Sequence, residues 1–389
     1  MTDHVALQQR FHLDLYAGRG LSLLEGKGAR LLDSRGDLYL DMMSGYGAAC
    51  LGYRHPRLEE AVAGQWRRLP FLHGSFASDV RARAAQALIK RCGPAYQRLY
   101  WSNSGAEAVE AALKFAVLAT GKRRFVACRG GYHGKTLGAL SVTHAGKYRE
   151  PFLPLLWDFE HVPYGDLRAL EEALREDTAA FIVEPVQGEG GVILPPAGYL
   201  RAARELCRRR GVLLILDEVQ TGCGRTGAFL RSQTEGLDGD ILCLGKALAG
   251  GLPVGATLAS AAVDARLARS IHSSTFAGSP LVCSAVLAVL EVLDVWLLEH
   301  VCALGGYFRR RLGELGGALA GEVRGLGLMV AIEAGSRRNE VLRRLQRDFR
   351  VLAIPAGEGA VRFLPPYVIG RAEVDAVLAA LEEIAVRAA

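Results

Sequence analysis

The 389-residue sequence predicts an α/β fold, a doubly wound, mainly parallel sheet followed by a smaller α+β domain. Two observations predict it. Short β-type runs alternate with longer runs of helical period, and after Pro280 that rhythm gives way to long helices with a few strands. In chain order the first β-type runs are "RRFVAC" (123–128), "AAFIVEPV" (179–186), "GVLLILD" (211–217) and "GDILCLG" (239–245). Between them, "LRALEEALRE" and "YLRAARELCRRRG" repeat Leu and Ala every three and four residues, the period of one helix face. Beyond Pro280, "GLGLMVAIEA" and "VRFLPP" read as strands. The expected organisation is an N-terminal segment, 1–40, packing with a small domain, 281–389, and a large domain, 41–280. No repeat, low-complexity tract or Ser/Gly linker separates them, so tight joining is expected.

Composition narrows the function. Half the residues are hydrophobic and 23% are charged, as in an ordinary globular enzyme. A net charge of +6 is too mild to imply nucleic acid. The N-terminus carries scattered charges and no apolar h-region, so a cytoplasmic protein is expected. The apolar run "SPLVCSAVLAVLEVLDVWLL" is interrupted by Glu291 and Asp294 and reads as a buried helix, not a membrane span. The eight cysteines form no C-x-x-C and the nine histidines no H-E-x-x-H, so no metal site is expected. Only seven of the 47 basic residues are lysines: Lys27, Lys90, Lys114, Lys122, Lys135, Lys147 and Lys246.

Three segments could hold a phosphate. Gly222-Cys223-Gly224-Arg225-Thr226-Gly227 fits G-x-G-x-x-G, but the segment behind it shows little helical period, so a turn-rich loop is the plainer reading. "RGGYHGKTLG" ends like a P-loop, yet Arg129 stands where the first glycine belongs, which argues against a nucleoside triphosphatase. "NSGAEAVEAALKFA" carries a capping box, Ser104 to Glu107. It is either an ordinary capped helix or an anion site at a helix N-terminus.

Lys246, in "ILCLGKALAGG", separates these readings. It lies in an otherwise uncharged stretch just past a strand. A snorkelling surface lysine would explain it, but in so arginine-rich a chain arginine would serve there equally well. A side chain that must lose its proton and attack an aldehyde has to be lysine. Asp217 ends the preceding strand, so both can meet at the carboxyl edge of the sheet, where open α/β sheets bind ligands. A Schiff-base lysine, a carboxylate for a pyridinium nitrogen and a helix N-terminus for a phosphate together describe pyridoxal 5'-phosphate (PLP).

These residues resemble the class III PLP-dependent aminotransferases of fold-type I. The resemblance extends over nearly the whole chain through "SGYGAACLGYRHP", "NSGAEAVEAALKFA", "GGYHGKTLGALSVT", "VEPVQGEGGV", "LDEVQTGCGRTG", "LGKALAGGLPVGA", "SSTFAGSPL", "RGLGLMVAIE" and "VRFLPP", in the family's order. It implies Lys246 as catalytic lysine and Asp217, with Glu218 beside it, at the pyridine nitrogen. Val219 and Tyr132 would cover the two faces of the ring, with Tyr132 where the family usually has Phe. Gln220 would contact the phenolic oxygen, Ser104, Gly105 and Ala106 the phosphate, and Glu184 the cofactor's surroundings. Thr275 would reach the phosphate of a neighbouring subunit, implying a homodimer. Tyr46, Lys135, Glu189, Ser274 and Arg362 are implied on the substrate side, Arg362 receiving a 2-oxoglutarate carboxylate that Glu189 covers between half-reactions. Ping-pong transfer to 2-oxoglutarate, yielding glutamate, is the implied reaction.

One departure bears on substrate. Acetylornithine-directed members read H-G-R-T where this chain has His133-Gly134-Lys135-Thr136, which trades a planar fork for a point charge. "GKYREPFLPLL", "SGYGAACLGYRHP" and "VRFLPPYVI" are most similar to archaeal and Thermus-type enzymes of lysine and arginine biosynthesis. Those act on the terminal amine of lysine or ornithine linked to the acidic carrier protein LysW. Arg201, Arg204 and Arg208, and Arg337, Arg338, Arg343, Arg344 and Arg347, are the expected docking cations if they are not simply solvated faces. Free N-acetylornithine or 4-aminobutyrate is the alternative donor.

Overall fold

A computed structural model describes residues 3–315 and 321–386, so the outermost residues of the expected first and last domains lie outside the described residues. Three sheets organise the chain. The first runs β1 (Leu23–Lys27), β2 (Arg30–Asp33) and β3 (Leu38–Asp41) as an antiparallel meander. The central sheet has seven strands: β4 (Tyr96–Ser102), β5 (Arg124–Cys128), β6 (Asp158–Val162), β7 (Thr178–Val183), β8 (Leu213–Asp217), β9 (Ile241–Leu244) and β10 (Gly255–Ser260). Their order is β4-β10-β9-β8-β7-β5-β6, and β10 runs antiparallel to both its neighbours. The third sheet holds β11 (Val323–Leu326), β12 (Met329–Glu333), β14 (Ile354–Ala356) and β15 (Ala360–Phe363).

The central sheet is the predicted doubly wound, mainly parallel one. Strands β5, β7, β8 and β9 are buried along nearly their whole length because helices cover both faces, which is why they read as continuous apolar runs. Helix Gly105–Thr120 buries Ala108, Ala111, Ala112, Leu113 and Phe115 against one face. Helix Tyr199–Arg210 buries Leu200, Ala203, Leu206 and Cys207 with the cluster on the other. At about 25 cal/mol per Å2 of apolar area, such burial is the main term holding the sheet between its layers.

The antiparallel strands β4 and β10 and the N-terminal meander were not among the predicted runs. A parallel strand pair closes the meander onto the C-terminal region: β13 (Val351–Leu352) pairs with β3, Val351 opposite Leu40. Arg19 adds a hydrogen bond to the Ala353 carbonyl at 2.8 Å. We propose the division 1–40, 41–280 and 281–389 on these contacts, with one qualification. Helix Pro280–Val292 begins the last part but packs on helices Pro56–Arg68 and Asp79–Cys92 of the large one.

The apolar run at 279–298 is not one helix. It is two, Pro280–Val292 and Val295–Glu314, meeting at 71°. Asp294 makes the break, since its carboxylate accepts the Leu297 N–H at 2.8 Å and caps the second helix. Among the described residues no single helix is long and apolar enough to cross a membrane; these two pass by length and composition only as a bent pair, and most of the first is core. "GLGLMVAIEA" is likewise a hairpin, turning at Gly327-Leu328 between β11 and β12.

Candidate active site

The carboxyl ends of β4, β5, β7, β8 and β9 converge on one cavity of about 480 Å3, within the range of small-molecule sites. Each strand delivers a different group. Past β9, Lys246 stands half-buried in the cavity, its backbone at φ +42°. Removal from water lowers its pKa, against the opposing charges of Glu189, Asp217 and Glu184. The amine is thereby biased toward its neutral, nucleophilic form.

Asp217 ends β8. One carboxylate oxygen accepts the Val219 N–H at 3.0 Å, and the other meets His133 Nδ1 at 2.6 Å. His133 is buried; burial opposes its charge, but the hydrogen bond to Asp217 and the charges of Asp217 and Glu184 hold its pKa above the usual histidine value. That shift favours the charged form of the imidazole, and the contact ties it to Asp217, which borders the cavity. Sequence reading missed His133, having treated its segment as a phosphate loop and a stacking aromatic. The signal available was an H one residue after the aromatic, invisible without knowing that the loop folds back onto β8.

Glu184 follows β7. Its carboxylate accepts N–H groups of Tyr132 at 2.9 Å and Gly188 at 3.2 Å. Desolvation dominates, and despite nearby His133 its pKa is pushed up to about 7. The Tyr132 ring borders the cavity, and burial raises its hydroxyl to about 12. Its edge-on neighbour is Tyr148, 6.1 Å between centroids, and no hydrogen bond to its hydroxyl forms among the described residues.

At the end of β4, Ser104 caps the helix, accepting the Glu107 N–H at 3.1 Å, while Glu107 reaches back to the N–H of Asn103 at 2.7 Å. Gly105 and Ala106 present the free first turn to the cavity. The glycine has a packing reason as well: a Cβ there would lie 2.5 Å from Val219 Cγ1. Gly134 serves the same junction, since its Cβ would sit 2.6 Å from that of Ala106.

Arg362, on β15, is fully buried. It donates to Gln220 Oε1 at 2.9 Å and to Glu189 at 2.6 Å, and its plane faces the Tyr46 ring at 5.9 Å. Lys135 is exposed at the rim with Nζ 4.4 Å from the Tyr148 centroid. Ser274 accepts from Asn103 Nδ2 at 3.1 Å and Thr275 is exposed; neither borders the cavity of its own chain.

One expected cofactor residue is corrected. Glu218 points away from the cavity, where its carboxylate accepts the N–H groups of Arg231 and Ser232, both at 2.8 Å, and the Thr221 hydroxyl. It fastens a turn, as strand alternation after Asp217 requires. The G-x-G-x-x-G loop is also structural: Gly224 and Gly227, at φ +92° and +89°, press against Leu298 and Cys302. Seven of the eight cysteines are buried thiols and Cys302 is exposed. A larger cavity, about 590 Å3, near Tyr53, Leu58 and Gly250 contains no lysine, so size alone does not locate the chemistry.

A half-buried low-pKa lysine, a strand-end carboxylate held by histidine and a helix N-terminus fit PLP, and this fold with this site defines a fold-type I PLP-dependent enzyme. The chain belongs to the class III aminotransferases, whose family model, "Aminotransferase class-III", matches residues 18–385. It is 43% identical over 379 residues, 97% of each chain, to the acetylornithine aminotransferase of Methanopyrus kandleri. Among solved structures it matches the ornithine aminotransferase of Toxoplasma gondii with a TM-score of 0.95 and 35% identity, covering 100% of this chain and 96% of that one. The acetylornithine aminotransferase of Elizabethkingia anophelis matches at 0.86 and 32%, covering 99% and 98%. The protein is a PLP-dependent transaminase.

Proposed function

We propose that this enzyme transfers the terminal amino group of an ornithine- or lysine-type diamino acid, its α-amine masked by an acyl group, to 2-oxoglutarate, giving the semialdehyde and glutamate, or runs the reverse. The pair Arg362–Glu189 carries this reading. The fully buried Arg362 guanidinium is ion-paired with Glu189, which, with 28% of its side chain exposed, is the partner that can leave. With Glu189 in place, Arg362 is neutralised and an ω-amine can approach; with Glu189 displaced, Arg362 accepts a carboxylate of 2-oxoglutarate bidentately. Tyr46, stacked near Arg362, borders that position.

When bound, PLP supplies an aldehyde that condenses with amines and a pyridinium ring that draws electrons from the adjoining carbon. Lys246 attacks through neutral Nζ and later moves a proton at that atom as general base and acid. Asp217, fixed by His133, would hold a proton on the ring nitrogen. Gly105 and Ala106 N–H groups, with the Ser104 hydroxyl, would take the phosphate. Val219 and Tyr132 would cover the ring faces, and Gln220 would donate to the phenolic oxygen through the amide nitrogen that Arg362 leaves free. Glu184 fixes the Tyr132 backbone. Ser274 and Thr275, directed away from their own cavity, would complete a second subunit's site in a homodimer.

The relatives named acetylornithine aminotransferase support acetyl as the mask. The arginines that would dock a carrier are largely spent within the chain: Arg204 on Asp240, Arg208 on Glu205, Arg344 and Arg347 on Asp348. A second reading, LysW-linked lysine or ornithine as donor, is favoured by the exposed apolar side chains of Phe152, Leu153 and Leu156, on the segment that follows Tyr148. The test is glutamate formation from 2-oxoglutarate with N-acetylornithine, free ornithine, 4-aminobutyrate and carrier-linked lysine in parallel. A kcat/KM at least about tenfold higher for the carrier-linked donor selects the second reading. Absence of glutamate with every donor ends both.

A further inference from the structure

Two of the chain's seven lysines meet on one aromatic ring. Lys135 Nζ lies 4.4 Å and Lys147 Nζ 4.8 Å from the centroid of Tyr148. The Tyr148 ring in turn stands edge-on to Tyr132, which borders the cavity that Lys135 also lines. Two ammonium groups repel, and each is drawn to the same ring by a cation–π contact. Neither has a carboxylate partner among the described residues, although the chain's arginines are extensively ion-paired. Glu150, the carboxylate of this segment, folds back over Gly146. Lys135 on the cavity lining is therefore accompanied, on the same ring, by a second cation that no carboxylate of the described residues neutralises.

We infer that Lys135 and Lys147, held on Tyr148, form a two-ammonium clamp for the α-carboxylate of the amino donor, with Lys147 a specificity-determining residue. This rests on the reading of the donor as an Nα-masked diamino acid. A carboxylate has two oxygens, and one arginine satisfies both with a planar fork. A single lysine offers a point charge and cannot. A second lysine 12 positions along the chain, fixed to the same ring, restores the missing donor. The clamp sits at the mouth, opposite in role to Arg362, which is buried and serves the acceptor. A donor reaching Lys246 with its terminal amine would leave its α-carboxylate at the rim.

The test is Lys147→Met in the PLP-loaded enzyme, with KM for N-acetylornithine and for 2-oxoglutarate measured separately across ionic strength. The clamp predicts a rise of about tenfold in the donor KM, the loss of one charge-assisted hydrogen bond, with the 2-oxoglutarate KM unchanged. It also predicts a flatter salt dependence of the donor KM in the variant and recovery of most of the loss in Lys147→Arg. A donor KM within about twofold of the parent overturns the clamp, as does an equal rise for both substrates. If the parent transfers from no Nα-acylated diamino acid, the donor reading itself fails. Calorimetric binding of N-acetylornithine to parent and Lys147→Met then decides the clamp separately, equal affinity or absence of binding overturning it.

Discussion

The floor and the rim of the cavity are built on opposite principles. On the floor, Asp217, His133 and Glu184 are buried and answer one another's charge through short hydrogen bonds to side chains and backbone. At the rim Lys135 is exposed, and it shares an aromatic ring with exposed Lys147, neither having an ion-pair partner among the described residues. The floor sets reactivity, which tolerates no reorganisation during the reaction. On the proposed reading the rim selects the donor.

If the floor is the reactive part, the largest loss follows from removing its nucleophile. Lys246→Ala should cut turnover by about 10^2–10^4-fold, the range lost with a general acid–base, when glutamate formation is followed at saturating donor. A variant within tenfold of the parent breaks the comparison. Next comes Asp217→Asn, which leaves shape but removes charge; the expected loss is about 10^2–10^3-fold in kcat. His133 acts only through Asp217, so His133→Ala should lose less than that and should shift the pH profile of kcat.

Glu184 sharpens the comparison thermodynamically. Its pKa in the fold is about 7 against an ordinary 4.5, so the fold favours the neutral acid. That contribution is fully present below pH 4.5 and lost as pH rises through 7, about 3 kcal/mol in all. The Tm of the PLP-free protein should fall between pH 5 and 8 more steeply in the parent than in Glu184→Gln. Parallel curves would show that Glu184 is not desolvated as described. The smallest effect is Gly105→Ala, whose Cβ meets Val219; overpacking should cost about 1–3 kcal/mol and weaken PLP binding, read by denaturant melts and cofactor titration.

Lys246 and Asp217 were legible in the sequence from the residues themselves, Lys135 only through the family resemblance, and His133 and Lys147 not at all. Lys246 stood out as a lone cation in an apolar run, and Asp217 as the acid closing a strand, because burial imposes a composition that can be read locally. The same apolar continuity marked β5, β7, β8 and β9, while β4 and β10, with polar and small residues interspersed, gave no such pattern. His133 escaped because its partner is 84 positions away. Glu218 was misassigned because adjacency to Asp217 in sequence means opposite faces on an extended chain. Lys147 carried no signal at all, since a lysine beside a tyrosine is common and only the fold brings Lys135 to the same ring.

The central claim is that Lys246 holds the cofactor at the carboxyl edge of the central sheet. Borohydride reduction of the PLP-loaded enzyme, followed by proteolysis and mass mapping of the pyridoxyl group, tests it directly. The label is predicted on the peptide containing Lys246 and absent from those containing Lys135 and Lys147; a label on either of these, or no reducible cofactor at all, would contradict the account.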